Sequence, residues 1–325
     1  MTKQARRDCV KEPIFLEPVF QEKIWGGTAL NKIFGYDIPS SKTGECWAIS
    51  GHANGSSIVK NGSFKGESLD RLWGKHPEVF GDHLGSNFPL LVKILDAREN
   101  LSIQVHPDDE YAKLYENGEY GKTECWYVLD CHDNAEIVLG HNAKTKEELI
   151  HFIQRNEWDK LLKRVPIKRG DFFYVPSGTI HALCKDTLIL EIQQSSDITY
   201  RLYDYDREDH LGNKRELHLR KAIEVVSIPQ EGIQDSHTAK NVGKNKFLKF
   251  IETKYFTICK WEINEQAVMQ KNKSFLLVSI INGKGTLTIG SDQLYELNKG
   301  DHLILPANLT HFCLNGEFEA IVSHP

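Results

Sequence analysis

Residues 170–181 read Gly170-Asp-Phe-Phe-Tyr-Val-Pro-Ser-Gly-Thr-Ile-His181, and the same outline returns as Gly300-Asp-His-Leu-Ile-Leu-Pro-Ala-Asn-Leu-Thr-His311. Both copies begin with Gly-Asp, carry a proline six residues after the glycine, and end on a histidine. In each copy an apolar strand runs into a turn, because proline interrupts a strand. The repeat therefore predicts two related β units, each of which presents a histidine just after a turn.

Two segments upstream alternate polar and apolar residues with the period of a β-strand. They are Leu101-Ser-Ile-Gln-Val-His106 and Gly121-Lys-Thr-Glu-Cys-Trp126. A strand turns successive side chains to opposite faces, so alternate positions of each segment share one face. The polar side chains on these faces are Ser102, Gln104 and His106 in the first segment, and Lys122 and Glu124 in the second.

His106 and Glu124 from these segments, together with His181 from the first repeat, form a candidate metal-binding set. A single histidine beside a strand is most often a packing residue. These three, however, each lie on a strand face or turn among polar groups that an ordinary core would not tolerate. Two imidazoles, one carboxylate and the amide oxygen of Gln104 make a mixed nitrogen and oxygen donor set. Such a set suits zinc or a neighbouring divalent metal.

A polar neighbourhood follows the alternating strand pattern of residues 188–193. The polar residues that crowd it are Glu191, Gln193, Asp197 and Arg201. We interpret them as part of the same site, and the alternative is an exposed, solvated strand face. Lys93 interrupts the apolar run of residues 88–95. A cation in such a run needs an anion to meet or a route to water.

The composition describes a chain with enough material for two cores. Of its 325 residues 40% are hydrophobic, and this length favours two domains of unequal size. The net charge of −5 gives no reason to expect nucleic acid or an anionic membrane as a partner. The seven cysteines lack the paired spacings of a disulfide scaffold, and no apolar segment resembles a signal peptide or a membrane span. We expect a cytoplasmic, soluble protein with reduced thiols.

The domain boundary is predicted near residue 235. Residues 229–246 are polar and turn-rich, which is typical of a linker. The segments that follow are strand-like throughout and predict a small antiparallel sandwich or jelly roll. We therefore expect a first domain over residues 1–235 and a second over residues 236–325.

Short helices are predicted at three places outside the strands. Residues 68–80 read as one helix, with Ser68 as its cap. Asp108 and Asp109 follow a proline and indicate the first turn of another. Thr145-Lys-Glu-Glu148 is a capping box, and the apolar spacing after it predicts a helical pair on the outside of the sheet.

The duplicated pattern resembles the second conserved motif of the cupins, which are small β-barrels of the jelly-roll type. Four motifs, in their order and spacing, are more specifically similar to those of the type I mannose-6-phosphate isomerases of the short bacterial branch. These motifs are Ser102-Ile-Gln-Val-His-Pro-Asp108, Lys122-Thr-Glu124, Pro176-Ser-Gly-Thr-Ile-His181 and Gln193-Gln-Ser-Ser-Asp-Ile-Thr-Tyr-Arg-Leu-Tyr-Asp204. The similarity begins at Trp25-Gly-Gly27 and covers nearly the whole chain. It implies a mainly β fold of two cupin-type jelly-roll barrels with a few peripheral helices.

The same resemblance implies roles for individual residues. One zinc ion per chain is expected on His106, Glu124 and His181, with Gln104 as a fourth ligand. Arg201 and Lys122 are expected to be catalytic. The residues expected to bind the substrate are Lys93, Ser102, Glu191 and Asp197. The implied reaction interconverts mannose 6-phosphate and fructose 6-phosphate by moving a proton between C1 and C2 through an enediolate, so the expected partner is a small sugar phosphate.

Several alternatives stay open at the level of the sequence. The general base is Glu191, Asp197 or Lys122, and Arg201 suits either the enediolate charge or the phosphate. Two other classes of protein fit the motifs less well. One is a sugar-binding or regulatory cupin that keeps the metal without turnover, and the other is a cupin metal oxygenase. The oligomeric state is unknown.

The second repeat is expected to hold no catalytic metal. Its counterpart to the first ligand segment falls within residues 274–289, which contain no His, Glu or Asp. One histidine cannot close a metal site. His311 is therefore expected to be satisfied by hydrogen bonds.

Overall fold

The computed structural model describes residues 11–81, 85–209, 211–230, 237–272 and 274–325. Within these residues the chain is mainly β, as predicted, and its helices are short. The α-helices are α1 (Ala29–Phe34), α2 (Leu69–Lys75), α3 (Asp109–Tyr115), α4 (Lys146–Gln154), α5 (Trp158–Leu161) and α6 (Leu219–Val225). Single 3₁₀ turns occur at Gly62–Phe64 and Pro77–Phe80.

In the described part of the chain the strands form three antiparallel sheets. Sheet 1 contains β2 (Val19–Gly27), β3 (Thr43–His52), β4 (Gly55–Ser56), β6 (Leu90–Ala97), β8 (Glu124–Cys131), β11 (Phe172–Val175) and β13 (Thr187–Gln194). Sheet 2 contains β7 (Ile103–Val105), β9 (Glu136–His141), β10 (Leu162–Pro166), β12 (His181–Leu183) and β14 (Tyr200–Tyr203).

Sheet 3 holds the rest of the strands, and most of them come from the C-terminal third of the chain. They are β1 (Ile14–Glu17), β5 (Ile58–Val59), β15 (Thr238–Val242), β16 (Asn245–Glu252), β17 (Thr257–Ile263), β18 (Ala267–Gln270), β19 (Leu276–Ile289), β20 (Gln293–Asn298), β21 (His302–Leu305) and β22 (His311–His324). The long strands β19 and β22 pair with each other, with a register shift between Ile280 and Asn282.

Sheets 1 and 2 face each other and enclose the first barrel. Their shared apolar core includes Trp126 and Ile189 of sheet 1 and Ile137 and Leu183 of sheet 2. Sheet 3 curls around a separate apolar core of its own, which forms the second barrel. The prediction of two cupin-type jelly-roll barrels with few helices is therefore confirmed.

Sheet 1 is buried on both of its faces. Along β13, Leu188, Leu190 and Ile192 join the apolar core between sheets 1 and 3. Ile189 points the opposite way, into the first barrel. Because side chains alternate along a strand, Glu191 and Gln193 also face the inside of that barrel. This alternation explains how a strand that is mostly apolar in sequence can carry polar side chains into the interior of the barrel.

The two barrels share strands and an apolar interface. β1 pairs with β21, with Ile14 opposite Ile304, so residues near the N-terminus complete the sheet of the second barrel. Phe275 packs against Phe80 and Phe88, with ring centroids 5.2 and 5.9 Å apart. The division of the chain after residue 235 stays a prediction.

The linker predicted over residues 229–246 is wrong from Thr238 onward. Thr238–Val242 forms β15, which pairs with β16 through a tight turn. All five residues of β15 are exposed, because it lies at the edge of sheet 3. A polar edge strand and a linker have similar compositions, so the sequence pattern could not separate them. Residues 231–236 lie outside the described residues.

The helix predictions hold, with corrections at their ends. α2 begins after Ser68 and ends at Lys75 instead of continuing to Phe80, because Pro77 interrupts the helix. The Asp108 carboxylate accepts a hydrogen bond from the Tyr111 amide and caps α3. The Thr145 hydroxyl accepts from the Glu148 amide and begins α4, which α5 follows against the outside of sheet 2.

Two further observations concern the sequence predictions. Among the described residues, no helix combines the length and apolar character needed to span a bilayer. The cysteines at 46, 125, 131, 184, 259 and 313 are all free thiols. Cys9 lies outside the described residues.

Phe275→Ala should destabilise both barrels together. Phe275 is fully buried in the interface core, and truncation of a buried phenylalanine typically costs about 3–5 kcal/mol of unfolding free energy. Guanidinium unfolding followed by circular dichroism and by tryptophan fluorescence should show one transition, moved to lower denaturant. Val268→Ala, at a position that is 83% exposed, is the control and should change little. Two separate transitions in the variant would contradict a shared core.

Candidate metal centre and active site

The three predicted metal-binding side chains lie together inside the first barrel. His106 directly follows β7, Glu124 begins β8 and His181 begins β12. His106 Nε2 lies 3.5 Å from Glu124 Oε2, and His181 Nε2 lies 3.4 Å from Glu124 Oε1. All three side chains are buried, and their donor atoms fall within 4.8 Å of one another. Sheet 1 supplies the carboxylate, and sheet 2 supplies both imidazoles.

The imidazoles are arranged as neutral donors. The Nδ1–H group of His181 donates to the Thr179 carbonyl oxygen at 2.9 Å, which leaves Nε2 with its lone pair toward Glu124. Burial and the charge of Lys122 lower the pKa of His181 to about 4. The same two causes lower the pKa of His106. Neutral imidazole nitrogens beside a carboxylate are suited to hold a divalent cation.

A tight turn positions His181 relative to His106. Gly178 has a φ of +82°, a left-handed conformation that favours glycine. Its amide donates to the His106 carbonyl oxygen at 2.9 Å, and its own carbonyl oxygen accepts from the Ser227 amide at 2.9 Å. A Cβ atom at this position would lie 2.3 Å from Ser227 Oγ. The turn that precedes one histidine is therefore tied directly to the backbone of the other.

Gln104 and Lys122 both reach the metal-binding group. Gln104 is paired with His181 across the strands, and its amide Nε2 lies 3.3 Å from His181 Nε2. A half-turn of the amide would present its oxygen at the same place. Lys122 Nζ lies 2.7 Å from Glu124 Oε2 and 3.0 Å from His106 Nε2. Burial alone would lower the pKa of Lys122, but the nearby carboxylates, Glu124 foremost, raise it.

A second charged cluster surrounds Lys93 on sheet 1. Its Nζ lies 3.7 Å from Glu45, 4.0 Å from Glu191 and 3.9 Å from Asp197. The same ammonium stands 4.8 Å from the ring centroid of Trp47. Three carboxylates therefore meet the cation that the sequence places in an apolar run. This is the partnership that a buried lysine requires.

The carboxylates of this cluster differ in their surroundings. Burial and the charge of Glu124 raise the pKa of Glu191, whose Oε2 accepts a hydrogen bond from Trp126 Nε1 at 3.0 Å. For Glu45, burial alone would raise the pKa, but Lys93 and Lys23 outweigh it and lower the pKa to about 2. Asp197 is half-exposed, and its Oδ2 accepts from the Asn54 amide at 3.2 Å.

Arg201 lies beside these clusters and forms no ion pair among the described residues, although Asp204, Asp197 and Glu216 act on it electrostatically. It lies on β14, directly opposite Gln104 on β7. Its Nε is buried and has no hydrogen-bond partner within the described residues. Burial and the neighbouring charge of Arg215 lower its pKa. A half-buried guanidinium in this state is suited to receive an anion from outside the chain.

The structure therefore joins Gln104 and Lys122 to the metal-binding group, and Glu191 and Asp197 of the Lys93 cluster lie within electrostatic range of Lys122. Ser102 is also buried, directly before β7. Glu45 and Trp126 were not predicted as site residues. Glu45 lies two residues before Trp47 in the segment Gly44-Glu-Cys-Trp47. Trp47 Nε1 donates to Glu45 Oε2 at 2.6 Å, so the two act as one unit beside Lys93.

His311, the counterpart of His181 in the second repeat, has a different environment. It is exposed at the start of β22, and its Nδ1 lies 3.0 Å from Thr310 Oγ1. In the part of the chain that the structure describes, His106, Glu124 and His181 form the one group of three close metal-binding side chains.

This geometry agrees with comparisons to known proteins. The family model for the type I phosphomannose isomerase catalytic domain matches residues 14–145, and that for the mannose-6-phosphate isomerase cupin domain matches residues 246–325. Mannose-6-phosphate isomerase ManA of Bacillus subtilis (strain 168) is 55% identical to the chain over 315 residues, covering 96% of the chain and 99% of the relative. The Streptococcus mutans mannose-6-phosphate isomerase is 51% identical, with 96% and 98% covered.

A solved structure matches the fold over almost its full length. The crystal structure of the mannose 6-phosphate isomerase from Bacillus subtilis superposes with a TM-score of 0.95 and 52% identity, covering 96% of the chain and 99% of that structure. These matches, together with the buried site inside the first barrel, show that the chain belongs to the type I phosphomannose isomerase family.

Proposed function

We propose that the chain is a zinc-dependent aldose–ketose isomerase that interconverts mannose 6-phosphate and fructose 6-phosphate. The observation that carries the proposal is the buried group of His106, Glu124 and His181, with cationic side chains beside it. The relatives that are more than 50% identical to the chain carry the name of this activity. Cytoplasmic location stays a prediction from the sequence.

The residues of the site fit one divalent metal ion per chain. His106, Glu124 and His181 would supply two nitrogen donors and one oxygen donor, and the Gln104 amide is close enough to supply a fourth. One carboxylate among neutral ligands leaves such a centre with net positive charge. A mixed set of imidazole and carboxylate ligands is typical of catalytic zinc, which when bound supplies a Lewis acid for negative charge on oxygen.

The isomerisation needs a proton to move between C1 and C2, and it builds negative charge on the oxygens of an enediolate. Lys122, which is held at 2.7 Å by Glu124, is a buried cation that can donate hydrogen bonds to that charge. Glu191 and Asp197 flank Lys93, and they are the carboxylates proposed to accept or return the carbon-bound proton. Lys93 and Ser102 complete the proposed surface for the sugar.

Arg201 is the proposed anchor for the anionic part of the substrate. Its buried Nε has no hydrogen-bond partner among the described residues. The fork of donors of a guanidinium matches phosphate or enediolate oxygens. Neither Lys93 nor Lys122 is free in this way, because carboxylates already surround both.

Purified protein should convert mannose 6-phosphate to fructose 6-phosphate and lose that activity on metal removal. A coupled assay of fructose 6-phosphate with and without chelator is the measurement, and added zinc should restore turnover to the chelated protein. Full turnover in metal-free protein would contradict the role of the metal. Sugar binding without any turnover would indicate a binding protein, and oxygen consumption would indicate an oxygenase.

His181→Ala should remove most of the bound metal, because a centre that loses one of three or four ligands is poorly closed. His311→Ala is the matched control, since it changes the corresponding histidine of the second repeat. Elemental analysis should give about one zinc per chain for the native protein and for His311→Ala, as expected for a single four-ligand centre. A stoichiometry near two, or loss of zinc in His311→Ala, would mean that the second barrel holds metal.

Arg201→Lys should lower turnover by about tenfold to a thousandfold while leaving the metal content intact. Lysine keeps the positive charge but loses the two-pronged geometry of the guanidinium. Steady-state kinetics and elemental analysis on the same preparation are the measurements. Arg220→Lys, on the exposed surface of α6, is the matched control and should behave as the native protein. Native turnover in Arg201→Lys would assign Arg201 a structural role.

A further inference from the structure

The acidic residue next to Arg201 is paired with two other arginines. Asp204 follows Arg201 by three residues, and its side chain is only 5% exposed. The Asp204 carboxylate accepts two hydrogen bonds from Arg215, with Nε 2.7 Å from Oδ2 and Nη2 2.5 Å from Oδ1. Arg207 Nη2 donates to the same Oδ1 atom. One buried carboxylate is thus shared by two guanidinium groups, neither of which is Arg201.

Hydrogen bonds to backbone groups fix the positions of Arg207 and of the segment that carries Arg215. The His218 amide donates to the Arg201 carbonyl oxygen at 2.8 Å, so the segment that carries Arg215 runs alongside Arg201. Arg207 donates through Nε to the Asp204 carbonyl oxygen at 3.2 Å and through Nη1 to the Asn100 carbonyl oxygen at 2.5 Å. The side chains of Arg207 and Arg215 are about one-quarter exposed or less, at 21% and 26%.

The charges of these groups act on one another. Burial lowers the pKa of Arg201 most, and Arg215 lowers it further, while Asp204 and then Asp197 and Glu216 raise it. Arg215 and Asp204 therefore both lie within electrostatic range of the guanidinium. Oδ2 of Asp204 has Arg215 Nε as its one hydrogen-bond donor among the described residues. If Arg215 were removed, a buried carboxylate oxygen would be left without a donor, which is costly. Arg201, the neighbouring cation without an ion-pair partner, would be the available replacement.

We propose that Arg215 is a positioning residue that holds Asp204 away from Arg201, so that the Arg201 guanidinium stays free for the anionic substrate. This inference rests on the proposed function, in which Arg201 binds phosphate or enediolate oxygens. Arg215 acts through Asp204 and need not touch the substrate. The motif that contains Arg201 thus also contains Asp204, a carboxylate that could bind Arg201 in place of the substrate. Arg215 prevents this by pairing with Asp204.

Arg215→Met should lower kcat/KM for mannose 6-phosphate roughly tenfold to a hundredfold, the range for losing one hydrogen bond to a charged group. The decisive variant is the double substitution Arg215→Met with Asp204→Asn, which removes the competing charge. It should recover most of the lost kcat/KM, because Arg201 is free again. A merely structural role for the ion pair predicts that the double variant is no better than the single one, and that result would overturn the proposal.

Two controls complete the design. Lys214→Met breaks the neighbouring exposed pair with Asp206 and should leave kcat/KM unchanged. Arg215→Lys keeps a donor for Asp204 and should fall between the native protein and Arg215→Met, which serves if the methionine variant does not fold. Native kcat/KM in both Arg215 variants would overturn the proposal.

Binding of inorganic phosphate to the metal-loaded protein separates this inference from the proposed function. Calorimetry should show weaker phosphate binding in Arg215→Met and recovery in the double variant. If the native protein binds phosphate in this pattern but does not isomerise mannose 6-phosphate, the proposed function fails while the role of Arg215 stands. If the native protein isomerises mannose 6-phosphate but the Arg215 substitution changes neither phosphate binding nor kcat/KM, the inference fails while the proposed function stands.

Discussion

The buried carboxylate of Glu124 is the constraint on which the rest of the site depends. It is fully removed from water, and a charge in that position must be met by cations or donors at short range. Lys122 approaches one oxygen at 2.7 Å, and His106 and His181 approach the two oxygens at 3.5 and 3.4 Å. Because Glu124 comes from sheet 1 and the histidines from sheet 2, this constraint is satisfied only when the first barrel is closed. The metal-binding group is therefore a product of the whole sandwich and not of any local motif.

The double burial of sheet 1 explains why so many charges face inward at one end. One face of its strands packs on the second barrel, and the charged residues around Lys93 lie on the other face. Lys93 stands there among Glu45, Glu191 and Asp197, which balance it. Arg201, on the opposing sheet, has a buried Nε without a hydrogen-bond partner within the described residues. Within the described residues the barrel thus sets a cluster of paired charges opposite a guanidinium that forms no ion pair, an arrangement suited to a polar ligand with one anionic end.

Much of this could be predicted from local sequence, and the remainder depends on contacts that local sequence does not encode. The period-two alternation was enough to group His106 and Glu124, and the repeated turn was enough to add His181. The pairing of Glu45 with Lys93 depends on the register between β3 and β6, which single-strand patterns do not reveal. The pairing of β1 with β21 joins opposite ends of the chain. β15 was mistaken for a linker because an exposed edge strand has no apolar face to mark it.

The most direct test of this account is a crystal structure with diffraction data collected on both sides of the zinc absorption edge. We predict one anomalous difference peak in the first barrel, within bonding distance of His106 Nε2, His181 Nε2 and a Glu124 oxygen, at about 2.0–2.2 Å as for zinc with nitrogen and oxygen ligands. The Lys122 ammonium should then lie beside the Glu124 carboxylate and not in the ligand position. A peak beside His311, or none between the two sheets of the first barrel in active protein, would contradict the account.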